Sequence, residues 1–335
     1  MTAANTPMKR LYSKLQTVGY NPKYIRSLLP EWWDEEIADT PAGLQQASLI
    51  LGQRFGVRAE SLWTESTTPV LRLPLGIHFK HRDNVDAGDL RIACALAQSL
   101  ARIVLKAFPE TPLPHFYLDA GELRKQLLEG KKWISFQDLL AYCLSLGIPV
   151  IYLQHLPNRA KKMEGLAFEQ NGRPVIVLTR KNAHGYMLFD LAHELGHISL
   201  GHVSAEHSVI DQKIDVEAGE DDERAANRFA LELLTGNPEC KIVPVGGRWL
   251  KGCQLAHAAM ICAERNQVDP LHIVLNYGHT TKQWGPANMA IKEIAGNDPS
   301  DQETLRETLL QSLDFDVLSE DDYMLLQTHL SGSAV

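Results

Sequence analysis

The chain has 335 residues, of which 44% are hydrophobic, 22% charged and 7% aromatic, and its formal net charge is −8. This length and composition give two or three compact units with enough apolar residues for a core, and they exclude collagen-like, low-complexity and wholly disordered classes. Nine acidic residues against the single base Arg306 within 294–335 carry the whole net charge, so the rest of the chain is neutral, which argues against a protein that binds chiefly by neutralising phosphates.

In chain order, the N-terminus from Met1 to Lys9 has no apolar leader segment, and no run of about 18 apolar residues able to span a bilayer follows it. Residues 1–63 read as a helical N-terminal unit, with apolar spacing at Leu11, Leu15 and Val18 and again at Leu44, Ala47, Leu49, Leu51 and Phe55, punctuated by Gly19, Pro22, Pro30 and Pro41. Phe55-Gly56-Val57 with Leu62 faintly resembles the last helices of an Xre/Cro-type helix-turn-helix domain. A helical dimerisation or lid unit is preferred, because the charges nearly cancel and no basic recognition helix stands out. Residues 64–114 read as a linker and a long helix: an extended connection from Thr64 to Leu75, then a helix from Val85 to Phe108 stopped by Pro109, Pro112 and Pro114.

From Trp133 the pattern changes to a helix over Phe136–Leu146, an apolar strand over Ile148–Leu153, and strands near Gly165–Phe168 and Pro174–Thr179 joined by the hairpin signal Asn171-Gly172. Helices are expected from Tyr186 to His202, Glu220 to Thr235 and Leu255 to Asn266. A small sheet followed mainly by helices indicates an α+β domain over 115–294. Residues 295–335 read as an acidic tail, a linker with one or two short amphipathic helices. The basic clusters Lys80–Arg82, Arg124–Lys132 and Arg159–Lys162 read as solvated faces. The five cysteines, Cys94, Cys143, Cys240, Cys253 and Cys262, are odd in number and form no C-x-x-C pair. They indicate neither a disulfide framework nor a thiolate metal site, and fit a cytoplasmic protein.

The segment Phe189-Asp190-Leu191-Ala192-His193-Glu194-Leu195-Gly196-His197 carries the chemistry. Two histidines four apart on a helix share a face and can direct both imidazoles at one metal ion, with Glu194 beside them. Leu188, Leu191, Ala192, Leu195 and Ile198 supply an apolar face that would hold that helix rigidly against a core. A catalytic zinc needs a third protein ligand and one open position. His202 lies five residues after His197, whereas the metzincin pattern places its third histidine six after and a glycine three after, where this chain has Val203 and Leu200. The other candidate is Glu223, on an amphipathic helix with Ala226, Phe229, Ala230 and Leu233 apolar and Asn227 one turn on as a hydrogen-bonding neighbour of the site. Glu223 also suits an acidic first helical turn with no metal at all.

The two segments F-D-L-A-H-E-L-G-H and E-R-A-A-N-R-F-A-L-E-L-L together resemble the ImmA/IrrE family of zinc metallopeptidases, over about residues 133–294. The resemblance implies a zincin-like metallopeptidase domain in which His193, His197 and Glu223 bind Zn2+ and Glu194 is the general base. Asp190 and Asn227 would act just outside the ligands; Asp190 stands where family members often have threonine or serine. No oxyanion donor is assigned among Tyr186, His184 and His207. The strand at Pro174–Thr179 is expected to offer an edge to an extended substrate. The implied activity is that of a narrow-specificity cytoplasmic endopeptidase whose partner is a protein substrate, an Xre/Cro-type repressor or antitoxin, with the toxin half of a toxin–antitoxin pair as one setting and no direct nucleic-acid or membrane contact. The alternative is a zinc-binding regulatory protein that controls a DNA-binding partner without proteolysis.

Overall fold

The computed structural model describes residues 6–64, 68–73, 75–81, 87–110, 118–157, 160, 163–179, 184–203, 216–247 and 249–331. The N-terminal unit contains α1 (Pro7–Thr17), α2 (Pro22–Ser27), α3 (Pro41–Arg54) and α4 (Ala59–Trp63). The first three begin alike, with Thr6, Asn21 or Thr40 accepting a backbone N–H through its side chain and a proline occupying the first helical position. That proline has no N–H to leave unsatisfied, and its fixed φ suits the helix start. The long helix follows as α5 (Ala87–Ala107).

A strand precedes it. The stretch read as an extended connection leads into β1 (Leu75–His81), which pairs antiparallel with β3 (Met163–Gln170). The sheet has four strands in the order β1-β3-β4-β2, where β2 is Val150–Tyr152 and β4 is Arg173–Leu178. β3 and β4 form the expected hairpin, and both turn residues, Asn171 (φ 54°) and Gly172 (φ 75°), lie in the left-handed region that such a tight turn demands. The order corrects one expectation. The strand containing Pro174–Leu178 lies inside the sheet, hydrogen bonded to β3 on one side and parallel to β2 on the other, so its backbone groups are already used and it offers no edge.

Strand alternation divides the sheet's side chains between two cores. Leu166, Phe168, Val175 and Val177 face α1–α5, whereas Ala167, Ile176 and Leu178 face α6 (Ala120–Leu127), α7 (Phe136–Ser145), α8 (Tyr186–Ser199) and α9 (Val216–Thr235). A third cluster joins α10 (Gly252–Asn266), α11 (Pro270–Thr281) and α12 (Trp284–Ala295). The result is an α+β, zincin-like arrangement behind a helical N-terminal region.

The acidic tail carries the two short helices expected of it and docks them on the body, whereas one basic residue read as solvated is buried, because hydrogen-bonding partners lie within its reach. The acidic tail folds as α13 (Asp301–Gln311) and α14 (Glu320–Ser331), and Leu309, Leu313, Leu325, Leu326 and Leu330 enter the core on the N-terminal side of the sheet. Arg124 is not on a solvated face. It is 9% exposed and donates to the carbonyls of Leu233, Leu234, Asn266 and Gln267, which closes the C-terminal ends of α9 and α10 together. Arg82, Arg159, Lys161 and Lys162 lie outside the described residues. No helix among the described residues is long and apolar enough to cross a membrane.

Candidate metal centre

α8 and α9 cross closely, and a glycine makes this possible. A Cβ at Gly196 would stand 3.1 Å from Phe229 Cδ1 and 3.3 Å from the Ala226 backbone, so the side-chain-free position lets α9 approach the face of α8 that carries both histidines. The N-terminus of α8 is fixed from the tail: the Gly185 N–H donates to Asp301 Oδ2 at 2.7 Å. Burial pushes the Asp301 carboxyl up to about 7, against the backbone donors of Gly185 and Met187.

His193 and His197 are fully buried, and their Nε2 atoms lie 3.1 Å apart. Glu223 reaches between them from α9, with Oε2 at 3.2 Å from His193 Nε2 and Oε1 at 3.3 Å from His197 Nε2. Burial lowers the His197 pKa, favouring neutral imidazole. Burial pushes the Glu223 carboxyl up, but hydrogen bonds with His193 and His197 outweigh it and hold the group well below the usual carboxylate range. A neutral imidazole and an ionised carboxylate are the forms that bind a metal. Three ligand atoms of these residues lie within 4.8 Å of one another, and this donor set can hold a metal ion.

Glu194 is fully buried beside His193 and His197 and outside the cluster that could hold a metal, and its carboxylate lies against Gly165 of β3, where a Cβ would come within 3.0 Å of the carboxyl carbon. Asp190 is buried one turn before His193, and its charge acts on Asp301. Asn227 is half-buried one turn beyond Glu223, and among the described residues the structure gives no hydrogen bond from it to His193, His197 or Glu223. Tyr186 packs against the third core and His184 is partly exposed near Glu303, away from the His193–His197–Glu223 cluster; His207 lies outside the described residues.

Gly165 and His202 take places that sequence reasoning did not assign. His202 lies outside the cluster of His193, His197 and Glu223. Its Nδ1 lies 3.0 Å from Nδ1 of His197, on the side of that ring away from Glu223, and its Nε2 lies 3.3 Å from Asp222 Oδ1, so it packs behind the cluster. A glycine inside a strand facing the motif helix was the available signal for Gly165. For His202 it was a histidine just past a helix-ending glycine.

An α+β domain with a small sheet and two adjacent helices that supply His, His and Glu around one point is of the metallopeptidase-like kind. Residues 143–242 match the peptidase M78 family, described as the IrrE N-terminal-like domain. That span contains β2, β3, β4, α8 and α9 and all the residues of the centre, and it bears out the resemblance carried by the two motif helices. Neither a curated protein nor a solved structure matches the chain.

Proposed function

We propose that the chain is a zinc-dependent endopeptidase of narrow specificity, acting in the cytoplasm on a protein substrate. The observation that carries this reading is the convergence of His193, His197 and Glu223 on one point with Glu194 buried beside them and outside the set. Two imidazole nitrogens and one carboxylate suit zinc with a position left open. When bound, zinc lowers the pKa of water towards about 7 and polarises a carbonyl. Glu194 accepts the proton of the attacking water at a carboxylate oxygen and delivers it to the leaving nitrogen, a role open to it because it does not bind the metal. The Gly165 backbone and the surrounding core hold that carboxylate in place.

The resemblance of the two motif helices to ImmA/IrrE peptidases implies an Xre/Cro-type DNA-binding regulator or antitoxin as substrate, with this chain as the toxin half in the latter setting. The test combines zinc content with cleavage of such a regulator followed by mass spectrometry. Wild type should hold near one zinc per chain and cut the regulator. Glu194→Gln should keep zinc and lose cleavage, and Glu223→Ala should lose both. A Glu194→Gln chain that still controls its partner fully would identify a zinc-binding regulatory protein instead, and folded wild type that takes up no zinc would overturn the reading.

A further inference from the structure

We propose that His202 and Asp222 are positioning residues for the metal centre: together they hold His197 in the single ring orientation and tautomer that presents Nε2 to the ion. This rests on the metal site proposed above. The ring of His197 has two nitrogens facing opposite ways. Nε2 lies beside His193 Nε2 and Glu223 Oε1, and Nδ1 lies 3.0 Å from Nδ1 of His202.

A neutral imidazole carries one N–H, so a ring that offers the Nε2 lone pair to a metal must carry its proton on Nδ1. That proton points at His202 Nδ1, which therefore accepts. His202 then carries its own proton on Nε2, and this atom lies 3.3 Å from Asp222 Oδ1, an acceptor. Each link has one donor and one acceptor, and the polarity runs outward from the metal to the carboxylate. A reversed chain would have Asp222 facing a bare ring nitrogen and would place a proton where the metal binds.

The backbone shows how His202 comes to this place. α8 ends in a left-handed glycine, Gly201 (φ 75°), with the Gly201 N–H donating to the Ile198 carbonyl at 3.1 Å and the His202 N–H to the His197 carbonyl at 3.0 Å. This is the Schellman ending, which brings the residue after the glycine back over the one five positions earlier. That contact is ordinarily apolar, and here it joins two imidazoles. The His202 side chain is 13% exposed, so the bond between the rings is shielded from water. Asp222 adjoins Glu223 on α9, so one helix supplies both a metal ligand and the outer end of the relay. The arrangement serves one histidine only, since His193 Nδ1 is buried and makes no hydrogen bond among the described residues.

The test is zinc affinity of the full chain, measured by competition with a chromophoric chelator, together with the visible spectrum of the cobalt-loaded protein. His202→Leu should weaken zinc binding by about 10- to 100-fold, the usual cost of removing a partner of a metal-bound histidine, and should alter the cobalt bands. His202→Asn, whose amide oxygen can accept from His197 Nδ1, should recover most of the affinity. Asp222→Ala should weaken binding by a smaller factor. Wild-type affinity and cobalt spectrum in both His202→Leu and Asp222→Ala would overturn the proposal, as would a His202→Asn chain no better than His202→Leu. Should His202→Leu fail to fold, Asp222→Ala decides, because that side chain is half-exposed and an unchanged affinity there breaks the relay. Peptide cleavage plays no part in these readings. A zinc-binding chain that cuts nothing sinks the peptidase reading alone, whereas a wild-type chain that takes up no zinc removes both.

Discussion

Gly165 of β3 and Glu194 of α8 are packed so closely that the glycine has no room for a side chain: a Cβ there would collide with Oε1 and stand 3.0 Å from the carboxyl carbon. Gly165 is not in the left-handed region, so its requirement for glycine comes from this approach alone. The strand thus acts as a wall that fixes the carboxylate. Gly165→Ala should displace Glu194 while leaving His193, His197 and Glu223 untouched. Peptide cleavage should fall by about 100-fold, the scale of a misplacement near 1 Å, with zinc content near wild type. Unchanged cleavage would mean that Glu194 is held by something other than the strand.

Gly196 has a different role, since it sets the distance between helices. An added methyl would be 3.1 Å from Phe229 Cδ1 and 3.3 Å from Ala226, close enough that the neighbours must yield slightly. Gly196→Ala should therefore be mild. Gly196→Val should push α9 away, withdraw Glu223, and weaken zinc binding by about tenfold, on the scale of supporting-residue losses at metal sites. Equal affinities for glycine, alanine and valine would show that α9 has slack at this crossing.

The motif helices were legible in the sequence because local rules decide them. His193 and His197 share a face through helical periodicity alone, and the Asn171-Gly172 turn is specified by its own two residues. β1 was not legible, since nothing local in Leu75–His81 says that its partner is β3, some 90 residues on. The same reason hid the place of β4: its alternation and apolarity fit an edge or a centre, and only the parallel partner β2 settles the matter. Arg124 looked like part of a basic cluster because its four carbonyl acceptors come from the ends of helices over 100 residues away. Glu223 sits between these cases, a candidate ligand by motif but joined to its histidines only by the α8–α9 crossing.

Arg124 gives a stability prediction that concerns no site residue. Its Nη1 donates to the carbonyls of Leu233 and Leu234 and its Nη2 to those of Asn266 and Gln267, at 2.8 to 3.1 Å. Arg124→Ala leaves these helix-end carbonyls without their partner and opens a gap where the side-chain stem was packed. Denaturant unfolding should show a loss of about 3 kcal/mol. Arg124→Lys should recover only part of it, because a single ammonium cannot address all four acceptors with the guanidinium's geometry. A lysine variant as stable as wild type would reduce the role of Arg124 to its charge.

Asp301 predicts a pH effect of a particular sign. Burial raises its carboxyl from 3.8 to about 7. Below about pH 4 the group is protonated in folded and unfolded chains alike. Between there and pH 7 the unfolded chain releases its proton first, so this group's contribution to stability falls as pH rises and is lost once pH passes the folded value. Asp301→Asn keeps an oxygen acceptor for the Gly185 N–H and cannot ionise. Relative to wild type it should gain about 2–4 kcal/mol in unfolding free energy between pH 4 and pH 8. A constant difference across that range would mean that Asp301 titrates alike in both states.

His272 acts in an overlapping window with the opposite sign. It is fully buried on α11, stacked on Phe189 at 6.0 Å between centroids, and neither ring nitrogen makes a hydrogen bond among the described residues. Burial lowers its pKa from 6.5 to about 4. The neutral ring is tolerated inside the core and the charged ring is not, so stability is fully present above pH 6.5 and is lost as pH falls through the folded value. His272→Phe, which keeps an aromatic ring against Phe189 and cannot charge, should flatten the acid side of the stability curve by about 3 kcal/mol between pH 7 and pH 4. Urea midpoints for wild type, His272→Phe and Asp301→Asn at the same pH values separate the two groups, since one substitution removes a loss on acidification and the other a loss on raising pH. Parallel curves for wild type and His272→Phe would place the acid sensitivity elsewhere. His329 is the next place to look: it is buried with a pKa lowered to about 3, first by burial and then by the charge of His155.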